Sequence, residues 1–394
     1  MLLENEFPFD DRVEKEAISL IDSGFKVSLL CPTFSNQVRR EFYNNIDIYR
    51  FAIKKNIFNK LLGLIQLFPF YKILWKRKVT KIINQQNIDI IHIHDLPLCC
   101  LIDSLKSYSN LKFIADMHEN YPAMVSGQEH MKRFPNKYMI SIKKWYKLEK
   151  KWLKNADLII CTASGMISRL SGEIGEGHDF VLVPNTVDIE KFKGSQKRDP
   201  EIEKKFVDDF VILSYGVVSE QRGVQYAIQA IDLIKEKIPE VKLLILGDGS
   251  YLENLKKQAV ALGVGRYIIF EGWQNQSVLI SYMENTDLCI IPHIKSEHTD
   301  NTSPNKLFHF MYFSKPVVAS NCNYIQEIVE EENCGLVYTY DDPKELAEAI
   351  LLLYSGKNKR ETMGNNGQQA ISVKYNWATT SMSMIEKYKS MTAQ

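Results

Sequence analysis

The chain has 394 residues, 45% of them apolar and 25% charged, with 49 Lys and Arg against 48 Asp and Glu for a net charge of +1. That balance excludes a general polyanion-binding surface, and the apolar fraction excludes a disordered chain. The length is beyond what one hydrophobic core usually serves, so two domains are expected.

The opening is acidic (Glu4, Glu6, Asp10, Asp11) rather than basic and then apolar, so no secretory leader is expected and the chain reads as cytoplasmic. Only Met1–Glu4 precede the first loop and helix, which is short for a first strand, so Met1 reads as not the true beginning. Over Arg12–Ser23 the apolar Val13, Ala17, Leu20 and Ile21 form one helical stripe, and Gly24 stops it. Strands are expected at Lys26–Cys31, Asp89–His94, Lys112–Asp116, Leu158–Cys161 and Phe180–Pro184, with helical patterns between them. The polar stretch Lys191–Lys205, with Gly194 and Pro200, reads as an interdomain linker. Strands resume at Val211–Gly216, Val241–Gly247, Tyr267–Glu271, Leu288–Pro292, Pro316–Ser320 and Gly335–Tyr338. Short apolar strands alternating with helices predict parallel sheets covered by helices, here two Rossmann-like lobes with a cleft between them. The boundaries expected are 1–190, 200–372 and a terminal helical stretch, 373–394.

Seven cysteines show no CxxC pair and no Cys/His cluster at zinc spacing, so they read as reduced, apolar residues. No apolar run reaches the roughly 18–20 residues of a membrane span. Two basic stretches stand out. Residues 54–78 hold seven Lys/Arg and no acid, interleaved with Phe58, Leu61, Leu62, Ile65, Phe68, Phe70 and Trp75. That pattern favours an element lying on a membrane surface. Residues 132–154 hold nine Lys/Arg and one acid, Glu149, and fit a solvated helix face as well as a membrane element. No nucleic-acid-reading motif accompanies either stretch.

Ligands of parallel α/β sheets sit beyond the carboxyl ends of the strands, and three such ends in the second half bear the right chemistry. The loop Gly216–Gly223 ends in Arg222, whose planar fork suits phosphate oxygens, and in Gly223, which permits close backbone approach. A second strand ends in the turn Gly247-Asp248-Gly249. The third feature is Asn301-Thr302-Ser303-Pro304-Asn305-Lys306-Leu307-Phe308-His309, in which Thr302 or Ser303 caps a helix, Pro304 fits its first turn, and Lys306 and His309 share a face. Helix-start amides and the Lys306 charge together make a diphosphate site. Taken alone, that segment reads as an ordinary capped helix with a solvated lysine; the two neighbouring strand ends turn the reading toward a phosphate-bearing ligand.

The ordered set YGVVSEQRG, LLILGDG, FEGWQ, DLCIIPH, TSPNKLFHFMYFSKPVVAS and GLVY resembles the retaining family-four glycosyltransferases of the GT-B fold, of the kind acting in bacterial surface polysaccharide assembly. The first half, with DDRVEKEAISLIDSGFKV, DIIHIHD, FIADMHENYP, ADLIICTASG and LVPNTVDIEKF, is similar to the same family. The resemblance implies a sugar moved from a nucleotide-diphosphate donor in the second lobe to a glycan or lipid-linked acceptor in the first. A helix at about Trp377–Tyr388 would cross back to the first lobe. It further implies that His118 approaches the donor sugar, that Trp273 and Gln274 border the base, and that Arg222 and Lys306 meet the diphosphate. The acceptor side takes in Asp11, Arg12, His94, Asp95, Asp116 and Glu119; capping or strand-end roles are the alternative for His94 and Asp116.

The chain departs from the family in three places. Two family glutamates eight positions apart fall on Asn301 and His309. Val217 or Val218 stands where an arginine is usual, and Asp10-Asp11-Arg12 replaces a glycine pair. No paired carboxylates of DxD type end a strand, so no metal and no cofactor are expected. Two rivals stay open: a nucleotide-sugar epimerase recruiting His118 and Glu119, and a non-catalytic nucleotide-binding scaffold, prompted by Asn301 and His309.

Overall fold

The computed structural model describes residues 1–35, 37–128, 131, 140–193 and 199–392. Contacts divide the chain into two compact units, Met1–Pro184 with Thr380–Gln394, and Asn185–Thr379.

In the first unit, β1 (Ser28–Thr33), β2 (Arg40–Tyr43) and β3 (Ile46–Ala52) form one sheet in the order β1-β3-β2, and β4 (Ile90–His94), β5 (Lys112–Met117), β6 (Leu158–Cys161) and β7 (Phe180–Leu182) form another in sequence order. The first residues join them. Leu2 N–H donates to His92 and Leu2 accepts from His94, while Leu3 donates to Leu30. Strands that are buried on both faces read as apolar runs, which is why β4 to β6 were legible in sequence. The strands β2 and β3 were not expected: Arg40, Glu41, Asp47 and Arg50 break the apolar pattern, and β2 pairs antiparallel at the sheet edge. The first helix, α1 (Asp11–Asp22), starts on Asp10, whose carboxylate accepts from Val13 N–H at 3.1 Å.

After β3 come α2 (Lys55–Gly63) and α3 (Phe70–Ile83). Their inward face is aromatic: Phe58, Tyr71 and Trp75 are buried together, so Trp75 is a core residue and not a surface anchor. The helix Ile142–Leu153 likewise buries Trp145, Trp152 and Glu149, with Glu149 bonded to both Arg169 guanidinium nitrogens at 2.7 and 3.0 Å. Its lysines therefore form a solvated face over a core helix; residues 132–139 of that basic stretch lie outside the described residues. The final helices are Trp377–Thr380 and Met382–Thr392 rather than one, and Tyr388 on the latter bonds His92 of the first unit at 2.6 Å.

The second unit holds β8 (Phe210–Tyr215), β9 (Val241–Leu246), β10 (Ile268–Gly272), β11 (Leu288–Ile291), β12 (Val317–Ser320) and β13 (Gly335–Tyr338). All pair parallel in the order β10-β9-β8-β11-β12-β13. The order reverses between β8 and β11, and such a switch point opens a crevice at the carboxyl edge. The expected linker is not irregular throughout. Ile189–Lys193 and Pro200–Lys205 are helices, the second begun by Asp199, which accepts from Glu201 N–H at 3.0 Å, with Pro200 in the first turn. Phe192, Ile202 and Phe206 are buried, which anchors both pieces.

Candidate functional site

In the second unit, the loops after β8 and β11 meet at the switch point. Arg222 Nη1 lies 3.2 Å from His293 Nε2, and Ile294 N–H donates to Gln221 at 3.0 Å. Glycines make this junction possible. At Gly223 φ is +68°, and an added Cβ would fall 1.6 Å from the Pro292 carbonyl oxygen. At Gly247 φ is +141°, with a Cβ 1.9 Å from the Gly216 oxygen, and a Cβ on Gly249 would meet the Val218 oxygen at 2.1 Å. The close approach read from sequence is thus backbone against backbone. Gly223→Ala is expected to cost more than about 1 kcal/mol, read as a lowered Tm. A Tm at or above wild type would show that the junction yields.

Lys306 projects to the same place. Its Nζ would sit 3.4 Å from a Cβ on Gly216 and lies 5.7 Å from the Tyr215 ring centroid. Burial, then the nearby Arg222 charge, pushes its ammonium down to about 7. Among the described residues no carboxylate comes within ion-pairing distance of Lys306. His293 is held well below its usual value by burial and by Arg222 and Lys306, and His298 falls to about 4 from burial and Arg222. Both imidazoles are therefore neutral at pH 7. Sequence reasoning missed them, although His293 stands two residues past the end of β11, a position that itself points to the crevice.

Lys306 sits in the first turn of the helix Asn305–Tyr312, and the expected side-chain cap is absent: Pro304 is the cap residue and makes no side-chain bond. Thr302 hydroxyl donates instead to His298 at 2.6 Å, and Ser303 oxygens accept from Asn185 at 3.3 and 3.1 Å. The opening amides are thus left without a side-chain acceptor. Asn301 uses its amide nitrogen on the Glu297 carbonyl at 2.7 Å. His309 stacks parallel to Tyr215 and shares a hydrogen bond with its hydroxyl, with Phe192 at 4.9 Å. Trp273, after Gly272 at φ +66°, is 73% exposed, and Gln274 bonds the Glu271 carbonyl at 2.6 Å. Of the two valines at the missing-arginine position, Val217 is exposed and Val218 is buried.

The first unit has its own switch point, between Met1–Leu3 and β4, and a charged network fills it. Asp116, fully buried, receives Arg12 Nη2 at 2.9 Å, His118 Nε2 at 2.8 Å and His94 Nδ1 at 3.1 Å. Arg12 also contacts Glu16 at 2.9 Å and the Val183 carbonyl at 2.9 Å. Arg12, His94 and Asp116, assigned to the acceptor side by sequence, are thus interior residues that tie α1, β4 and β5 together. Asp11 is exposed and pairs with Lys15 at 3.1 Å. Glu119 is half-buried.

His118 is the network's outlet, its side chain 17% exposed, with Nδ1 3.4 Å from Asp95 Oδ1. Burial alone would lower its pKa, but Asp95 and Asp116 outweigh burial and push it up to about 10. It is an imidazolium clasped by two carboxylates, so it serves as a fixed cation rather than a base. Asp95 stands at φ +68°, an uncommon conformation for a side-chain-bearing residue, at a strand end where it faces His118. Glu4, which sequence reasoning passed over, accepts from the Tyr71 hydroxyl; burial pushes its carboxyl up to about 8 despite that bond.

Glu16, His92, His94 and Asp116 bring ligand atoms within 4.8 Å of one another. The fit to a cation is poor. Arg12 already sits on both carboxylates, and His118 on Asp116, so the chain supplies its own countercharge.

Residues 195–370 match the family model described as Glycosyl transferases group 1, and residues 13–191 match Glycosyltransferase Family 4. The chain thus has two Rossmann-like α/β domains that match GT-B glycosyltransferase structures in fold. An uncharacterized glycosyltransferase of Methanocaldococcus jannaschii is 25% identical over 241 residues, 60% of this chain and 58% of that one. The alignments span about half the length of such relatives, from 45% to 59%. Among solved structures, sucrose-phosphate synthase from Thermosynechococcus elongatus superposes with a TM-score of 0.78 at 17% identity, covering 97% of this chain and 93% of that one. An Anabaena protein in complex with UDP-glucose gives 0.71 at 18% identity, covering 99% and 98%. The Arg222–Lys306 cluster thus lies in the group 1 domain, and the Asp95–His118 pair in the Family 4 domain.

Proposed function

We propose that this chain is a retaining glycosyltransferase that moves a sugar from a nucleoside-diphosphate sugar to a glycan or lipid-linked acceptor without a divalent cation, in the cytoplasm, during assembly of a surface polysaccharide. One observation carries the reading: Arg222 and a half-buried Lys306 share the β8–β11 switch point, and no carboxylate pairs with Lys306 among the described residues. Burying a cation without a counterion is costly, and a diphosphate removes that cost on binding. The uncapped amides of Asn305–Tyr312 add donors to the same anion.

In transfer, the bond from the anomeric carbon to the diphosphate oxygen breaks and its electron pair leaves on the diphosphate, while an acceptor hydroxyl oxygen bonds that carbon on the same face and its proton passes to the departing diphosphate oxygen. Arg222, Lys306 and the helix-start amides offset that growing charge, the work a metal does in other sites. The poor fit of the Glu16–His92–His94–Asp116 group to a cation favours this metal-free assignment. Trp273 offers its face to the base. The clasped His118 imidazolium presents a fixed positive charge, suited to a sugar hydroxyl or phosphate oxygen. The UDP-glucose bound to the Anabaena neighbour supports a UDP-linked donor.

A thermal-shift comparison of UDP, GDP, ADP and CMP tests the site. One diphosphate should raise Tm by mass action while CMP does not. Equal melting with all four would end the assignment. Product NMR of donor without acceptor should show unchanged sugar configuration; conversion would favour an epimerase.

The lysine sets a pH dependence. Free Lys306 loses its proton near pH 7, and the diphosphate binds the charged form. Affinity should therefore be highest below pH 7 and fall as pH rises past it, by up to tenfold per unit. Lys306→Arg should flatten this limb. Calorimetry from pH 6 to 9 that gives one Kd throughout would contradict the assignment.

A further inference from the structure

We infer that the α2–α3 surface of the first unit docks onto an anionic lipid bilayer and holds the carboxyl edge of that unit's sheet at the headgroups. The inference deepens the acceptor side of the proposed function by naming the partner as a bilayer; the docking itself requires no sugar transfer.

Two independent features mark the surface. The first is apolar exposure. Leu67 and Phe68 are each 48% exposed and Phe70 is 55% exposed, with Ile57 and Ile73 exposed beside them. The Phe68 and Phe70 rings stack on each other at 5.6 Å, so each is covered partly by its neighbour and not by the core. The inward face is already filled by Phe58, Tyr71 and Trp75, and among the described residues the outer row is not part of the core cluster. The second feature is charge. Lys54, Lys55, Lys60, Lys72, Lys76, Arg77 and Lys78 carry no acidic residue among them, and none is ion-paired among the described residues. Exposed aromatic and aliphatic tips amid unneutralised cations match an anionic interface, where rings enter the headgroup boundary and cations meet lipid phosphates. A second copy of this basic surface would be repelled. The lysine face of Ile142–Leu153 shows no comparable apolar row, since its tryptophans point inward.

Placement gives the surface its use. The helix α2 begins just past the carboxyl end of β3, and Tyr71 in the first turn of α3 donates to Glu4, the residue that follows Leu3. The apolar tip therefore stands at the edge where Asp95 and His118 emerge. No helix among the described residues is long and apolar enough to cross a membrane, so contact would be lateral and reversible.

Sedimentation of the full chain with phosphatidylcholine vesicles, with and without phosphatidylglycerol, tests this in the absence of nucleotide. The chain should pellet with phosphatidylglycerol vesicles and stay soluble with phosphatidylcholine alone. Phe68→Ser/Phe70→Ser and, separately, Lys76→Gln/Arg77→Gln should each lower partitioning at least tenfold at unchanged Tm. Lys147→Gln/Lys150→Gln, on the other basic face, should bind as wild type. Wild-type protein left in the supernatant with phosphatidylglycerol vesicles overturns the inference. So does equal loss in the Lys147/Lys150 variant, which would mean diffuse charge attraction, or self-association abolished by Phe68→Ser/Phe70→Ser without vesicle binding. Failure here leaves nucleotide binding untouched, because that is read separately by thermal shift.

Discussion

Lys306→Met is expected to lower kcat by ~10²–10³-fold, the loss typical of removing one preorganised donor to a developing oxyanion. The same change should leave Tm unchanged or raise it. Burial and Arg222 have pushed the ammonium down to about 7 from 10.5, so folding itself favours proton loss from this lysine, and a thioether of similar length removes that conflict. Activity and stability then move in opposite directions, as expected of a group retained for function. Arg222→Ala should cut turnover at least tenfold in the same assay. Steady-state kinetics with the diphosphate donor found by thermal shift, beside a melting curve, give both readouts. Wild-type turnover in Lys306→Met would remove the lysine from the mechanism. A large fall in Tm would instead make it a structural residue.

The second large effect is on stability and belongs to the first unit. Arg12→Met removes the guanidinium that offsets buried Asp116 and Glu16 and leaves His118 as the remaining cation on Asp116. Breaking a buried pair by removing one partner commonly costs about 3–5 kcal/mol. For a domain of this size that is a fall in Tm on the order of 10 °C. Asp116→Asn should also destabilise, because it withdraws the acceptor shared by Arg12, His94 and His118. The double variant should lose much less than the sum of the two, since each change removes the charge the other leaves uncompensated. Strictly additive losses would show that Arg12 and Asp116 act independently. Together the two predictions separate cations by environment: Arg12 is neutralised by carboxylates within its unit, whereas Lys306 has none within ion-pairing distance among the described residues.

Asn301 and His309 bear on activity in a related way. Neither carries charge to a ligand as a carboxylate would. His309 is fixed by the Tyr215 hydroxyl and by stacking on that ring, and the Asn301 amide nitrogen is engaged by Glu297. A rigid imidazole can still accept or donate to a hydroxyl, so under the proposed function these two residues bear on how a sugar or ribose is held and not on the Arg222–Lys306 cluster.

The sequence alone determined the alternation of strand and helix, because parallel strands covered on both faces must be apolar along their whole length. It also determined that Asp95 and His118 stand at strand ends, because each follows an apolar run directly, whereas Arg222 and Lys306 come later, in the loop after β8 and in the first turn of the helix Asn305–Tyr312. It could not determine which of these face a ligand. Arg12 and His94 are read from sequence as groups near a substrate, but Asp116, 104 residues from Arg12, draws both inward. Trp75 was legible as an aromatic among lysines, yet Phe58 and Tyr71 turn it to the core and leave Phe68 and Phe70 outside. The strands β2 and β3 were hidden by charges that only edge pairing accommodates. In each case the deciding fact is which distant side chain stands opposite, and that is fixed by the strand order and packing of each unit rather than by local pattern.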